Sequence, residues 1–354
     1  MKKTILMILL LFIAQPFLKS ELLTVFKNLT KPGHLHIKDD RIYIVQESNI
    51  FVYNLKDYKL LGQMGKEGEG PGELNKSVFY VNKVIKVKDG ILFEGYNKII
   101  KYSKNGEFVW QKRKNSSLNQ TLPIGDKFVV RRVRVDTKTK ILLICISLYS
   151  KDLKPLKDLY CIKHFQQGGP DSALKMNMLL DIPVFKVWEN KIYVEKSAKE
   201  FLIDVFDQKG EIISSIKHAY ENLKLNQNHK KQIIERYKKD VLIKREGGWE
   251  MWSKRNKTVY PKIFPAIQNF EIIDNKIYVQ TYLQKDGMDE YWILDLEGKL
   301  MKKIYLPSFK PGSLLDSILG TKLNCIYQNR LYYLEENEEE EWGMYGILIE
   351  ENTD

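Results

Sequence analysis

The hexapeptide ENKIYV at residues 189–194 returns as DNKIYV at residues 274–279, and four variants of it occur elsewhere in the chain. Each copy has Asp, Asn or Gly at a position where a tight hairpin turn needs positive φ, and continues with β-branched or aromatic residues. The other copies are DDRIYI (39–44), KDGILF (88–93), GDKFVV (125–130) and QNRLYY (328–333). The pattern predicts six hairpins of one common construction.

The spacing of the six copies predicts a β-propeller. Their second residues stand 49, 37, 64, 85 and 54 positions apart, and a period of about 40–50 residues with several strands per repeat is typical of propeller blades. A second turn follows each of the first five copies, at residues 55–58, 103–107, 150–154, 207–211 and 295–299. We therefore expect an all-β, six-bladed propeller built from four-stranded antiparallel blades.

The last repeat has room for only three strands before the chain ends. The segment ELLTVFKNL (21–29) can supply the missing outer strand. We expect this N-terminal strand to complete the last blade, because such closure removes two exposed sheet edges.

A glycine-rich segment, LGQMGKEGEGPGEL (61–74), lies between the first two repeats. It lacks the Gly-Lys-Ser/Thr ending of a phosphate-binding loop, and no helical pattern follows it, so we interpret it as a crossing loop with positive-φ glycines. Its part GKEGEGPGEL (65–74) resembles the inter-blade signature of exported bacterial six-bladed propellers related to NHL-repeat proteins, and YPKIFPA (260–266) is similar to that family's second half. The resemblance covers essentially the mature chain, although the glycine signature occurs once. It implies an exported propeller and, for many members, no established activity.

The N-terminus has the pattern of a secretory signal peptide. Two lysines precede an apolar run over residues 4–17, which is shorter than the ~20 residues of a membrane span. We predict a signal peptide over residues 1–20, cleavage after Ser20, and a propeller domain over residues 21–354 that is periplasmic or extracellular. An uncleaved anchor is the alternative. No second apolar run of membrane length occurs, so we expect no transmembrane span in the mature chain.

The longest spacing, between the fourth and fifth copies, predicts a helical insertion over about residues 224–262. Within it, residues 226–249 carry apolar side chains at helical spacing, with Asn226 or Asn228 as N-cap and Gly247-Gly248 as the end of a single helix. We expect this helix to lie on one rim of the ring, between blades 4 and 5.

The insertion holds most of the excess positive charge. The formal net charge of +12 falls to +9 without the three lysines of the signal peptide, and residues 224–262 contain 12 Lys or Arg against 4 Asp or Glu, a net charge of +8. Basic surfaces with aromatic side chains suit anionic polymers. The alternative is a solvated helix face with its tryptophans docked on the propeller. The candidate binding residues in this segment are Lys230, Lys231, Lys238, Lys239, Trp249, Trp252, Lys254, Arg255 and Tyr260.

Arg132 and Arg134 are two further candidates, because strand alternation places them on one face, where they could hold a carboxylate. Surface exposure is the alternative. The acidic residues of the repeated turns are explained by turn chemistry. His34 and His36 share a strand face but have no identifiable third metal ligand. We therefore assign no catalytic residue and no metal or cofactor.

Three cysteines remain in the mature chain. Cys145 and Cys161 fall nearly opposite each other if their strands fold about residues 151–154. The two residues could therefore form a disulfide in an oxidising compartment, and the alternative is two buried thiols. Cys325 is expected in the core.

These observations favour an envelope-associated binding or interaction module that recognises a ligand or partner at the propeller rim or channel mouth. The partner would be a protein, an anionic glycan or another envelope component, and export argues against nucleic acid. We expect a monomer. The alternative is a lactonase-like hydrolase or lyase centred on the channel, which could use Ca²⁺.

Overall fold

The computed structural model of the protein describes residues 20–74, 83–87, 89–115, 117–139, 141–166, 174–179, 182–196, 200–309 and 322–349. The predicted six-bladed propeller is confirmed: each blade has four antiparallel strands, which follow one another in chain order from the inside outward except in the last blade, whose outermost strand comes from the N-terminal part of the chain. The predicted signal peptide, apart from Ser20, lies outside the described residues. No helix in the described part of the chain is long and apolar enough to cross a membrane.

The first strand of the chain, β1 (Glu21–Phe26), precedes blade 1. From the innermost strand outward, blade 1 comprises β2 (His34–Lys38), β3 (Arg41–Gln46), β4 (Asn49–Asn54) and β5 (Leu60–Met64). In the same order, blade 2 comprises β6 (Lys83–Val87), β7 (Gly90–Glu94), β8 (Lys98–Tyr102) and β9 (Phe108–Arg113). Blade 3 comprises β10 (Leu118–Ile124), β11 (Lys127–Val135), β12 (Ile141–Tyr149) and β13 (Pro155–Gln166).

The short strand β14 (Leu174–Asn177) follows blade 3. Blade 4 comprises β15 (Phe185–Trp188), β16 (Lys191–Glu195), β17 (Phe201–Phe206) and β18 (Ile212–His218), and β19 (Asn256–Val259) ends the insertion. Blade 5 comprises β20 (Asn269–Ile273), β21 (Lys276–Lys285), β22 (Met288–Asp295) and β23 (Leu300–Pro307). Blade 6 comprises β24 (Asn324–Tyr327), β25 (Arg330–Glu336), β26 (Trp342–Leu348) and β1.

The repeated turns have the backbone that the sequence predicts. In four blades both central turn residues have positive φ, between 45° and 61°, at Asp39-Asp40, Glu189-Asn190, Asp274-Asn275 and Gln328-Asn329. Asp and Asn tolerate this conformation better than most residues do. The acidic side chains at these positions therefore serve the turns, as expected.

The N-terminal strand closes the ring. Strand β1 pairs antiparallel with β26, and Phe26 stands opposite Trp342. Phe26 is only 3% exposed and packs in a core cluster with residues of blades 1 and 6. The predicted closure of the last blade is confirmed.

The core lies between neighbouring blades. Between blades 1 and 2, for example, Tyr43 and Val52 pack with Phe93 and Ile100, all of them buried. Because each blade is covered on both faces, its middle strands are nearly continuous apolar runs.

The glycine-rich segment is a crossing loop between β5 and β6. Gly65 has φ +80°, and a Cβ added there would lie 2.5 Å from the carbonyl oxygen of Ser48. Gly72 has φ +74°, and its carbonyl accepts a hydrogen bond from the Tyr102 hydroxyl at 2.6 Å. These contacts give the segment a structural role, as predicted.

The propeller has two faces. We call the one that carries the repeated turns between the first and second strands of each blade the turn face, and the opposite one, where the chain passes between blades, the crossing face. The insertion leaves β18 on the crossing face and comprises α1 (Gln227–Lys239), α2 (Val241–Arg245), α3 (Gly248–Arg255) and β19. Strand β19 pairs with β14, which extends the sheet of blade 3 to six strands.

The expectation of one helix over residues 226–249 is wrong. Asn226 caps α1 as predicted, its side chain accepting from the His229 amide at 2.9 Å. The helix ends at Lys239 because Asp240 adopts extended backbone, and the Asp240 carboxylate accepts from the Ile243 amide to start α2. Gly247, with φ +94°, then separates α2 from α3 instead of ending the helical region.

Candidate functional site

The innermost strands of the six blades surround a central channel, and charged side chains from three blades meet in it. Lys186 on β15 donates to Oε1 of Glu271 on β20 at 2.8 Å, and Lys322, just before β24, donates to the same oxygen at 2.5 Å. The three side chains are 20%, 25% and 30% exposed, so solvent reaches them. One carboxylate thus holds two lysines from different blades.

Burial and the two lysines shift the pKa of the Glu271 carboxyl in opposite directions. Burial raises its pKa, but the attraction of Lys186 and Lys322 and their hydrogen bonds outweigh this and bring the pKa to about 2. The pKa of Lys322 is raised in turn, because Glu271 outweighs the effect of burial. The pKa of Lys186 is lowered, chiefly by burial.

His34 and His36 face the same channel from β2. They alternate with Leu35 and Ile37, which are 1% and 3% exposed in the blade core. Burial, then the positive charge of neighbours that include Lys322, lowers the pKa of His36 to about 4 and that of His34 well below its usual value. Both rings are therefore neutral at pH 7. Nδ1 of His34 and Nε2 of His36 are buried atoms without a hydrogen-bond partner.

Lys83 on β6 belongs to the same positive region. Burial, followed by repulsion from Arg131, Lys114 and Lys186, lowers its pKa to about 7, although Glu94 acts in the opposite direction. Lys114 and Glu94 form a fully buried ion pair at 2.9 Å. The attraction of Lys114 and Lys83 keeps the pKa of Glu94 below its usual value despite its burial.

Every blade therefore contributes to this region, which we call the channel cluster. Its described charged side chains comprise five basic and two acidic residues, namely Lys83, Lys114, Arg131, Lys186, Lys322, Glu94 and Glu271. Ca²⁺ takes six to eight oxygen ligands. Both of these carboxylates are already ion-paired with lysines, so the described residues of the cluster do not fit Ca²⁺.

The repeated turn gives a signal that sequence reasoning missed. Lys186 and Glu271 each stand three residues before the first turn residue of their repeat, and His36 occupies the same place in blade 1. Each of the three pairs across its hairpin with a buried tyrosine, namely Tyr193, Tyr278 and Tyr43 respectively. Alignment of the repeats at their turns brings these three polar residues to one position, which Ile85, Leu122 and Cys325 occupy in the other blades.

Arg132 and Arg134 share one face of β11, as predicted. Arg132 donates to Asp158 at 2.7 Å and to the Ser147 hydroxyl at 3.2 Å, and Arg134 lies 3.5 Å from the other oxygen of Asp158. Burial raises the pKa of Asp158, but Ser147 and the two arginines together keep it below its usual value. The carboxylate that these arginines hold thus belongs to the protein itself.

A disulfide joins Cys145 and Cys161, which stand opposite each other on β12 and β13. In the described part of the chain, one group of potential metal ligands lies close together, and it consists of these two cysteines and Asp158. Because the disulfide uses both thiols, this group does not bind a metal in the oxidised protein. Cys325 is a buried free thiol in a core cluster, as expected.

The aromatic residues of the insertion form a small core. Tyr237 is fully buried and donates to the Met178 carbonyl at 3.2 Å, which attaches α1 to the segment after blade 3. Trp249 and Trp252 stack with ring centroids 5.6 Å apart, and Trp252 is only 6% exposed. The tryptophans are therefore packed within the insertion, against each other and against Tyr237 of α1.

The basic side chains of the insertion point into solvent instead. Lys230 is half-buried, with its ammonium 5.5 Å from the centre of the Tyr260 ring. The remaining basic candidates are exposed, and they are Lys231, Lys238, Lys239, Lys254 and Arg255. We call the exposed basic side of the insertion the basic surface.

Comparison with solved structures supports the fold. The chain matches no family model, and a comparison with curated proteins gave no match. It is similar to the crystal structure of a member of the DUF4221 family from Bacteroides vulgatus, with 10% identity, 93% of this chain and 96% of that chain covered, and a TM-score of 0.51. A protein of unknown function from Bacteroides caccae is 10% identical over 78% of this chain and 82% of its own, with a TM-score of 0.40. At such identities the likeness to the DUF4221 member shows the fold alone.

Proposed function

We propose that the protein is an exported binding module of the cell envelope that recognises an acidic glycan through the basic surface. One observation carries the proposal: a net charge of +8 within residues 224–262, where most of the basic candidates are exposed to solvent. Positive charge concentrated on one face raises the local concentration of a polyanion and speeds its association.

The helices that present this charge are firmly attached to the propeller. Their apolar side, with Ile233, Tyr237, Ile243 and Trp252, is packed against Met178 and Phe264. A rigid platform loses little conformational entropy when it binds, which favours affinity.

The same packing favours a glycan over a lipid surface. A helix that lies in a membrane interface buries a continuous apolar face among the lipids. The apolar side of α1, including Ile233 and Tyr237, is already buried within the protein. Its exposed side offers charge, which suits the carboxylate or sulfate groups of an acidic polysaccharide.

The disulfide supports export. Disulfides persist in oxidising compartments and are rare in the cytosol, and Cys145 and Cys161 are bonded within one blade. Export also predicts a processed chain that begins at Glu21. The mass of the protein purified from its native envelope fraction tests this, and a chain that retains residues 1–20 would contradict it.

The experiment measures binding of the purified protein to immobilised alginate at about 50 mM and about 300 mM salt. We expect salt-sensitive binding that weakens roughly tenfold or more when four lysines of α1 become glutamine, since each removes one charge from a polyanion contact. The four are Lys230, Lys231, Lys238 and Lys239.

A matched control neutralises four exposed lysines of the turn face, which leaves the same net charge on the protein. These are Lys56, Lys104, Lys209 and Lys299. If both quadruple variants lose affinity equally, the contact depends on net charge and the proposed surface is wrong. Vesicles with anionic lipid serve as a second probe, and tighter binding to vesicles than to alginate would contradict the glycan assignment.

The alternative function, a hydrolase or lyase centred on the channel, has partial support. Polar side chains from several blades do converge in the channel, as that alternative requires. However, Glu94 and Glu271, the two carboxylates of the channel cluster, are both engaged by lysines. Binding is therefore the function that we propose.

A further inference from the structure

The channel cluster is separate from the basic surface and carries positive charge of its own. Glu271 balances one of its two lysine partners, Lys186 and Lys322, and Glu94 balances Lys114. Lys83 and Arg131 add further positive charge, and both lie close enough to Lys186 or to each other to influence their protonation. The described residues of the channel thus hold more basic than acidic groups.

The cluster already binds one carboxylate in a defined way. Two lysine ammonium groups from different blades converge on a single oxygen of Glu271. Charge-assisted hydrogen bonds of this kind are the usual means by which proteins hold carboxylate and phosphate groups. A second anion would meet the same type of donor in the same channel.

Two histidines supply an independent observation. Nδ1 of His34 and Nε2 of His36 are buried and have no hydrogen-bond partner. Buried polar atoms in proteins are normally satisfied, and an exception calls for an explanation such as a ligand. A neutral imidazole can donate from either nitrogen, depending on its tautomer. Both rings lie within the electrostatic reach of Lys322 and Glu271.

We propose that the central channel binds a small oxyanion, carrying a carboxylate or phosphate group, between the histidines of blade 1 and the lysines of blades 2, 4 and 6. The donors are His34, His36, Lys83, Lys186 and Lys322. The Glu271 carboxylate competes with such an anion for Lys186 and Lys322. In the absence of the anion, it keeps these two lysines oriented.

Binding of such an anion takes up protons near neutral pH. The pKa of Lys83, about 7 in the unliganded protein, rises when a negative charge is placed beside it. Affinity therefore increases as the pH falls through this range. The charged groups that face Lys83 come from four other segments and are Glu94, Lys114, Arg131 and Lys186, and the neutral His34 of blade 1 also lies within its electrostatic reach.

The experiment is calorimetric titration of the purified protein with inorganic phosphate and with succinate, at about pH 6 and about pH 8.5. We expect binding of at least one of them, tighter at the lower pH. Lys322→Gln should weaken it at least about tenfold, the effect of losing one charge-assisted hydrogen bond. Glu271→Gln should strengthen it, because the competing carboxylate is removed.

The opposite signs of these two effects distinguish a binding site from a structural ion pair, whose loss would weaken binding in either variant. If Glu271→Gln does not fold, His36→Phe replaces it and should weaken binding while leaving the ion pairs intact. The quadruple variant of the basic surface is the control, and its affinity for the small anion should be unchanged. No binding of either probe, or equal affinity in the parent protein and Lys322→Gln, would overturn the proposal without affecting the proposed glycan surface.

Discussion

At the scale of single residues, the channel depends on charges that burial would otherwise penalise. Glu271 is held ionised by Lys186 and Lys322, and Glu94 by Lys114. Lys114 and Glu94 are fully buried, and removal of one member of such a pair costs more than the pair contributes, because the remaining charge is left without a partner. The channel residues therefore affect stability as well as ligand binding.

This arrangement predicts a specific response to acid. The pKa of Glu271 lies at about 2 in the folded protein against an ordinary value of 4.5. Because the folded value is the lower one, its contribution to stability is present above pH 4.5 and is lost as the pH falls towards 2. Glu271→Gln should lower the free energy of unfolding at pH 7 and have a much smaller effect near pH 3. Urea unfolding of both proteins at the two pH values measures this, and a difference that does not change with pH would contradict it.

At the scale of elements, the sequence predicted the positions and backbone of the turns, but it predicted the extent of the helices only in part. The turn residues predict their own conformation because Asp and Asn tolerate positive φ, and Asp274-Asn275 is an example. The break after Lys239 was not foreseen, since the apolar spacing continues through it and the capping by Asp240 depends on a local hydrogen bond. Helical periodicity shows which side of a segment is buried, but a cap decides where the helix stops.

The disulfide belongs to the same scale, because it joins two neighbouring strands. It closes a loop of 16 residues between Cys145 and Cys161, and a loop of this length corresponds to about 3 kcal/mol through the entropy of the unfolded chain. Replacement of both cysteines by alanine should lower the free energy of unfolding by about this amount. Chemical denaturation with and without reductant provides the check. Reductant should destabilise the parent protein and leave the stability of the double variant unchanged. If reductant also destabilises the double variant, its effect does not come from this disulfide and the prediction is wrong.

At the scale of the whole molecule, the repeat defined the fold but not the channel cluster. The six turns predicted the blade number because each rests on a local pattern, and the closure by β1 followed from the strand missing in the last repeat. The channel lysines are spread from Lys83 to Lys322 and come together only once the ring exists. The shared position of His36, Lys186 and Glu271 before their turns was the one signal available.

Closure of the ring is tested by a pair of variants in one strand. Phe26 on β1 is 3% exposed, whereas Leu22 on the same strand is 53% exposed. Phe26→Ala should lower the free energy of unfolding by about 3–5 kcal/mol, the usual cost of emptying a buried aromatic site. Leu22→Ala should change it by about 0.5 kcal/mol or less. Equal effects of the two substitutions in thermal or chemical unfolding would show that β1 does not depend on its buried side for attachment.

The pairing of β1 with β26 also sets the order in which the molecule can be completed. The first strand to emerge, at Glu21–Phe26, is bonded to the last one, at Trp342–Leu348. During synthesis, β1 remains without its partner strand until nearly the whole chain has been made. Five blades can assemble meanwhile from strands that are close in sequence. The pairing of β1 with β26, in contrast, joins residues more than three hundred positions apart. Such long-range pairing is slow, so the newly made protein passes through an open ring whose two unpaired edges are exposed to any chaperone, or any neighbouring strand, in the compartment where it folds.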